Sequence, residues 1–233
     1  MNRLISECYD FIKACNLTYA FCGGHALELF TKKRTRTHSD VDITLFNEER
    51  KAIISFIIGK GWKVYKPLHS ENCLREITDP SDENALNCFY VWAIKPGCSF
   101  FKIEPKPGEN NYFEYEILDN EQKNFDFIDI IFNTREDGKF ICDKEKDISR
   151  ELDKTILYCE NVPYLAPEVI LFIISHPAYI ESEYHREKNN IDFESTPPFL
   201  TRESLDWLIN SIEKAYPKGN KRLDQLKIIQ RKL

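Results

Sequence analysis

Leu4, Ile5, Cys8, Phe11, Ile12 and Cys15 recur every three or four positions, which predicts an amphipathic helix over residues 3–15. A short apolar run at Tyr19–Cys22 then reads as a strand, broken by Gly23-Gly24, and Ala26–Lys33 reads as a helix. Val41–Phe46 is rich in β-formers, Glu48–Lys60 has helical spacing and closes at Gly59 or Gly61, and Trp62–Tyr65 is a further short strand. Residues 68–87 are polar and carry little periodicity, so a long loop is expected there, with a lid over the substrate as its open question.

The middle of the chain reads as a run of strands. Cys88–Ile94 is apolar and aromatic and ends at a Lys95-Pro96-Gly97 turn; Ser99–Glu104 and Tyr112–Leu118 follow. Phe125–Phe132 is the strongest strand, and Glu136-Asp137-Gly138 marks a hairpin turn before Lys139–Cys142. Beyond about residue 150 the texture becomes helical. Pro167 suits the first position of a helix over 168–184, with a disturbance at Pro177. Residues 187–200 are polar and contain Pro197-Pro198, so a loop is expected. Thr201 is a good N-cap for a helix over 202–215, and 221–231 closes the chain as a short helix. The pattern predicts an α+β protein with two parts: a mixed sheet with flanking helices over 1–150, and a helical C-terminal region over 151–233.

Composition narrows the class. The chain has 233 residues, 42% hydrophobic and 30% charged, an ordinary globular balance with enough length for a substantial core. A net charge of -6 argues against nucleic acid as a partner, which normally meets a basic face. The longest apolar run, Val169–Ile174, is far shorter than a membrane span, and Glu7 and Asp10 interrupt the N-terminus where a leader would need apolar residues. None of the eight cysteines forms a C-x-x-C pair, and most lie among apolar residues as free thiols do. A reduced, cytoplasmic setting is expected.

The chemistry concentrates between residues 22 and 43. Gly23-Gly24 leaves a strand and enters a helix, where free backbone N–H groups and the positive end of the helix dipole suit an anion, and the missing side chains allow close approach. A plain strand-to-helix turn would look the same. Lys32, Lys33, Arg34 and Arg36 follow, available to phosphate or simply solvated. Asp40 and Asp42 then alternate with Val41 and Ile43, so on a strand both carboxylates project from one face. Such a pair repels itself unless a cation lies between, and its hard oxygens suit magnesium shared with substrate phosphates; a solvated strand edge is the plain alternative. A third carboxylate should complete the set. Asp126 and Asp129 both lie in the strongest strand, on opposite faces, and Asp129 is chosen because apolar residues flank it on both sides. His38 shares the Asp40/Asp42 face if the strand starts early, and is otherwise a structural histidine; Lys188 could reach a phosphate or sit on the surface. His25, His69, His176 and His185 form no usable spacing.

These residues resemble a family. G-G-x-A-x-[DE] followed by T-R-x-H-x-D-x-D-[IV] is similar to the nucleotidyltransferase superfamily related to DNA polymerase β, and more narrowly to the nucleotidyltransferases of aminoglycosides and lincosamides. The match is clearest over 19–46 and continues through the Asp129 strand and parts of the helical tail. The resemblance implies that Asp40 and Asp42 hold Mg2+ carrying a nucleoside triphosphate (ATP as co-substrate), with Gly23 and Gly24 along the phosphates. It makes Asp129 a metal ligand or the base for the acceptor hydroxyl. It further implies transfer of a nucleoside monophosphate, AMP, to a small molecule, an antibiotic in one version. A protein or nucleic-acid end as acceptor, and an inactive nucleotide-binding module, are the rival readings. The chain departs from the pattern at His25, where the antibiotic enzymes often carry tryptophan, and at Asn189, where relatives often carry aspartate.

Overall fold

The computed structural model describes residues 2–68 and 71–232, the side chains of 183–185 excepted. The chain divides into two compact units, Met1–Phe21 with His38–Asn133, and Cys22–Thr37 with Thr134–Leu233. The change of texture in the sequence lies near residue 150; the division of contacts lies at 133/134, and residues 22–37 group with the C-terminal part.

The first unit opens with helix α1 (Arg3–Ile12), capped by Asn2, whose side chain accepts the Leu4 amide at 3.0 Å. A 3-10 turn, Lys13–Cys15, completes the predicted 3–15 stretch. Strand β1 (Tyr19–Phe21) pairs antiparallel with β2 (Asp42–Phe46). A 3-10 turn, Asn47–Glu49, leads into α3 (Arg50–Gly59), whose Ile53, Ile54 and Ile57 are fully buried; α2 (Gly23–Thr31) belongs to the second unit. Then come β3 (Lys63–Leu68), β4 (Cys73–Ile77), helix α4 (Glu83–Leu86), β5 (Tyr90–Ile94), β6 (Phe101–Pro105), β7 (Tyr112–Ile117) and β8 (Phe127–Glu136). The expected loop over 68–87 is therefore corrected. His69 and Ser70 lie outside the described residues, but β4 pairs antiparallel with both β3 and β7, and Asp82 caps α4 by accepting the Asn84 amide. That strand is short and its pattern is diluted by Arg75 and Glu76, so its neighbours select it rather than its own periodicity.

Strand order in this unit is β1-β2-β8-β5-β3-β4-β7-β6, antiparallel except for the β2–β8 pair, which is parallel. Registered partners share a sheet face, which sorts the side chains. One face carries Ile43, Leu45, Ile128, Ile130, Phe132, Val91 and Ala93, all buried. The other carries Asp42, Asp129, Trp92 and Tyr65 in one row, since Asp42 pairs with Asp129, Asp129 with Trp92, and Trp92 with Tyr65. Beyond Trp92 this second face becomes an aromatic core of Tyr65, Leu74, Trp92, Ile94, Phe100, Phe101 and Phe127.

The second unit begins at α2 (Gly23–Thr31), so the glycine pair is the helix's first turn rather than a loop ahead of it. β9 (Lys139–Ile141) pairs with the end of β8 through the predicted hairpin at Asp137-Gly138 and with β10 (Ser149–Glu151). A helical turn, α5 (Leu152–Thr155), precedes a hairpin of β11 (Ile156–Cys159) and β12 (Val162–Leu165). That hairpin corrects the all-helical expectation beyond 150. Its two-residue turn, Glu160-Asn161, has φ of 51° and 70°, the positive pair that matches the twist of hairpin strands. Helices α6 (Pro167–Ile174), α7 (Pro177–Glu181), α8 (Glu183–Ser195), α9 (Arg202–Ala215) and α10 (Leu223–Gln230) follow, with α9 packed on α6 and α10. The expected 168–184 helix is broken at Pro177 into α6 and α7, and its last two residues already belong to α8. The expected loop over 187–200 is corrected to α8 and a 3-10 turn, Pro197–Phe199. Polar residues misled the pattern there, because Asn189 and Asp192 are buried beside Phe193.

Candidate active site

The decisive local event in the first unit is the parallel pairing of β2 with β8. It sets Asp42 directly opposite Asp129, half-buried on adjacent strands. Adjacent strands lie about 4.8 Å apart, so the two carboxylates share one small region of one face. The ladder reaches one residue further, where the Asp129 amide donates to the Val41 carbonyl at 3.0 Å. Val41 is fully buried and alternates with half-buried Asp40 and Asp42. Asp40 lies two residues before Asp42, on the segment that leads into β2. Asp42 and Asp129 thus put two carboxylates side by side on one face, the kind of oxygen pair that suits a hard divalent cation, while Asp40 precedes the first residue of β2.

His38 does not lie on the strand, which begins at Asp42; it is buried in the segment before it, and its carbonyl accepts the Gln122 amide at 3.2 Å. Asp126 is held differently from Asp129. Its Oδ2 accepts both the amide and the hydroxyl of Ser99, each at 3.0 Å, which makes it the anchor of the turn after β5. Asp129 Oδ2 instead accepts the indole N–H of Trp92 at 3.3 Å. Trp92 is a site residue that the sequence reading passed over. The signal was the period of two in Tyr90-Val91-Trp92-Ala93-Ile94, but only the register says which acid it meets.

Within the second unit, Gly23 opens α2 with φ of 60°, a backbone region that glycine enters without strain. Cys22 precedes it as an extended N-cap residue with no side-chain cap bond. Arg36 is committed to α8: Nε donates to Asp192 Oδ1 at 2.9 Å and Nη2 to Oδ2 at 2.8 Å, a bidentate pair with both side chains largely buried. Lys188 lies on the same helix, one turn before Asp192. In this unit Arg150 also pairs with buried Glu168, whose Oε1 further accepts the Ser204 hydroxyl at 2.9 Å.

No family model matches the sequence, and no curated protein is similar to it. Solved structures are. In fold the chain is similar to nucleotidyltransferases. The antibiotic-resistance factor ANT(2'')-Ia in solution is 15% identical, with 92% of each chain covered and a TM-score of 0.49. The lincosamide antibiotic adenylyltransferase LnuA, bound to lincomycin, is 13% identical over 84% of this chain and 98% of its own, at 0.47. An antigenic nucleotidyltransferase-like protein from Paracoccidioides brasiliensis is 13% identical over 98% and 90%, at 0.48. Each is a likeness of fold; the chemistry has to come from this chain's own side chains. Among the described residues, no helix is long and apolar enough to cross a membrane.

Proposed function

We propose that this chain is a nucleotidyltransferase that moves AMP from ATP to a hydroxyl of a small molecule in a magnesium-dependent reaction. The observation that carries the reading is the registered Asp42–Asp129 pair on parallel strands. Two carboxylates side by side on one sheet face suit a divalent cation between them. Asp40 and Asp42 hold the metal. Asp129 joins them or takes the proton of the acceptor hydroxyl as its oxygen attacks the α-phosphate and pyrophosphate leaves. Bound magnesium would supply charge neutralisation at the phosphate oxygens. Gly23 and Gly24 are proposed as backbone donors to phosphate on the strength of their own turn. The rival acceptors, a protein or nucleic-acid end, draw no support from the acidic balance of the chain.

The test is isothermal titration of ATP, GTP, CTP and UTP with and without magnesium, on the wild type and on Asp42→Asn. Binding that needs magnesium and disappears in a folded Asp42→Asn is expected, and it opens an acceptor screen led by aminoglycosides and lincosamides. Magnesium-dependent binding that survives the substitution would sink the assignment.

A further inference from the structure

A hydrogen bond joins the aromatic core of the first unit to the candidate site, from Trp92 Nε1 to Asp129 Oδ2 at 3.3 Å. The indole is wedged in place. It stacks on Phe101 with centroids 5.2 Å apart and meets Tyr115 and Phe127 edge-on at 5.3 and 5.4 Å, and only 8% of it is exposed. An indole N–H is a donor and never an acceptor, so the oxygen it meets is fixed as the accepting one. The strand order sets Trp92 on one side of Asp129 and Asp42 on the other. We propose that Trp92 is a positioning residue for Asp129: the buried indole holds Oδ2 and fixes the carboxylate's rotation, so that Asp129 meets the cation or the acceptor proton from one direction.

The role rests on the nucleotidyltransferase reading; the hydrogen bond does not. A buried ring clamped among other rings cannot swing to follow a moving carboxylate, so its N–H acts as a fixed reference point. Hydrogen-bond partners of metal-binding side chains commonly govern metal affinity about 10- to 100-fold.

Trp92→Phe keeps a ring in the cluster and removes the donor. We expect it to fold, to unfold cooperatively by circular dichroism, and to weaken magnesium-dependent ATP binding about tenfold while magnesium-free ATP binding stays as in the wild type. Trp62→Phe, which alters a tryptophan stacked on Phe11 instead, should bind Mg·ATP as the wild type does. The second readout is the indole N–H resonance of Trp92, identified among the three tryptophans as the one that persists in both Trp62→Phe and Trp207→Phe. It should move in Asp129→Asn without any ligand, and in the wild type on adding Mg·ATP. Wild-type affinity in a folded Trp92→Phe overturns the positioning role. An indole resonance that ignores Asp129→Asn overturns the hydrogen bond itself, and this arm decides even if Trp92→Phe fails to fold. A wild type that binds no Mg·ATP overturns the nucleotide reading and with it the role, while the Asp129→Asn arm still judges the contact.

Discussion

Asp126 and Asp129 stand three residues apart in one apolar run and do different work. Asp126 is buried and accepts two hydrogen bonds from Ser99, so its carboxylate tethers the turn after β5. Asp129 is half-buried, opposite Asp42, with an indole on one oxygen. Substituting them should separate stability from binding. Asp126→Ala is expected to cost about 2 kcal/mol in urea unfolding, the scale of hydrogen bonds to a charged group, and to leave Mg·ATP affinity unchanged. Asp129→Asn is expected to do the reverse, because an amide fills the same space but gives Trp92 only a weaker, neutral acceptor and offers a cation no charge.

At the scale of elements, helix boundaries follow local chemistry where the caps are explicit. Thr201 accepts the Ser204 amide at 3.2 Å and α9 begins at the next residue, as the sequence predicts. Thr201→Ala should lower stability by about 1 kcal/mol in thermal or urea unfolding, the usual size of an N-cap. α8 obeys a different logic. Its sequence is polar, and the helix is secured where Asp192 receives the Arg36 fork and Arg222 lies over Phe193 at 4.5 Å. Removing one member of such a buried pair leaves the other charge without compensation. Asp192→Ala is therefore expected to cost about 3 kcal/mol by urea unfolding. Polarity along a helix signals exposure only when nothing buried complements it, which is why a solvated loop was the wrong reading of 187–200.

For the whole molecule, the cysteines give a pH signature. Burial pushes the Cys98 thiol up to about 11 and Cys142 up to about 12, and raises Cys8 further still. The folded protein thus keeps protons that the unfolded chain releases above the ordinary thiol value of 9.0. The stability from these sites is fully present below about pH 9 and is lost as pH rises toward 12. The urea midpoint should fall between pH 8.5 and 10.5, and iodoacetamide at pH 8 should label the buried Cys8 and Cys142 far more slowly in the native protein than in urea. Native labelling as fast as that of the unfolded chain would contradict their burial.

The sequence by itself determined the α+β class, the main strands and helices, and the chemical vocabulary of the site. Periodicity, caps and turn residues act over a few positions, and Asp40, Asp42 and the Asp129 strand are legible at that range. It also placed Gly23-Gly24 at a helix start, needing only a shift of the helix onto the glycines themselves. Only the tertiary structure decided that Asp42 and Asp129 are partners, that Asp126 is a tether, that Trp92 meets Asp129, and that Arg36 is held by Asp192. It also decided β4, the β11–β12 hairpin and α8. Each depends on a register or a buried complement supplied from far along the chain. A side-chain period of two says that a residue faces one way, but the neighbouring strand decides what it faces.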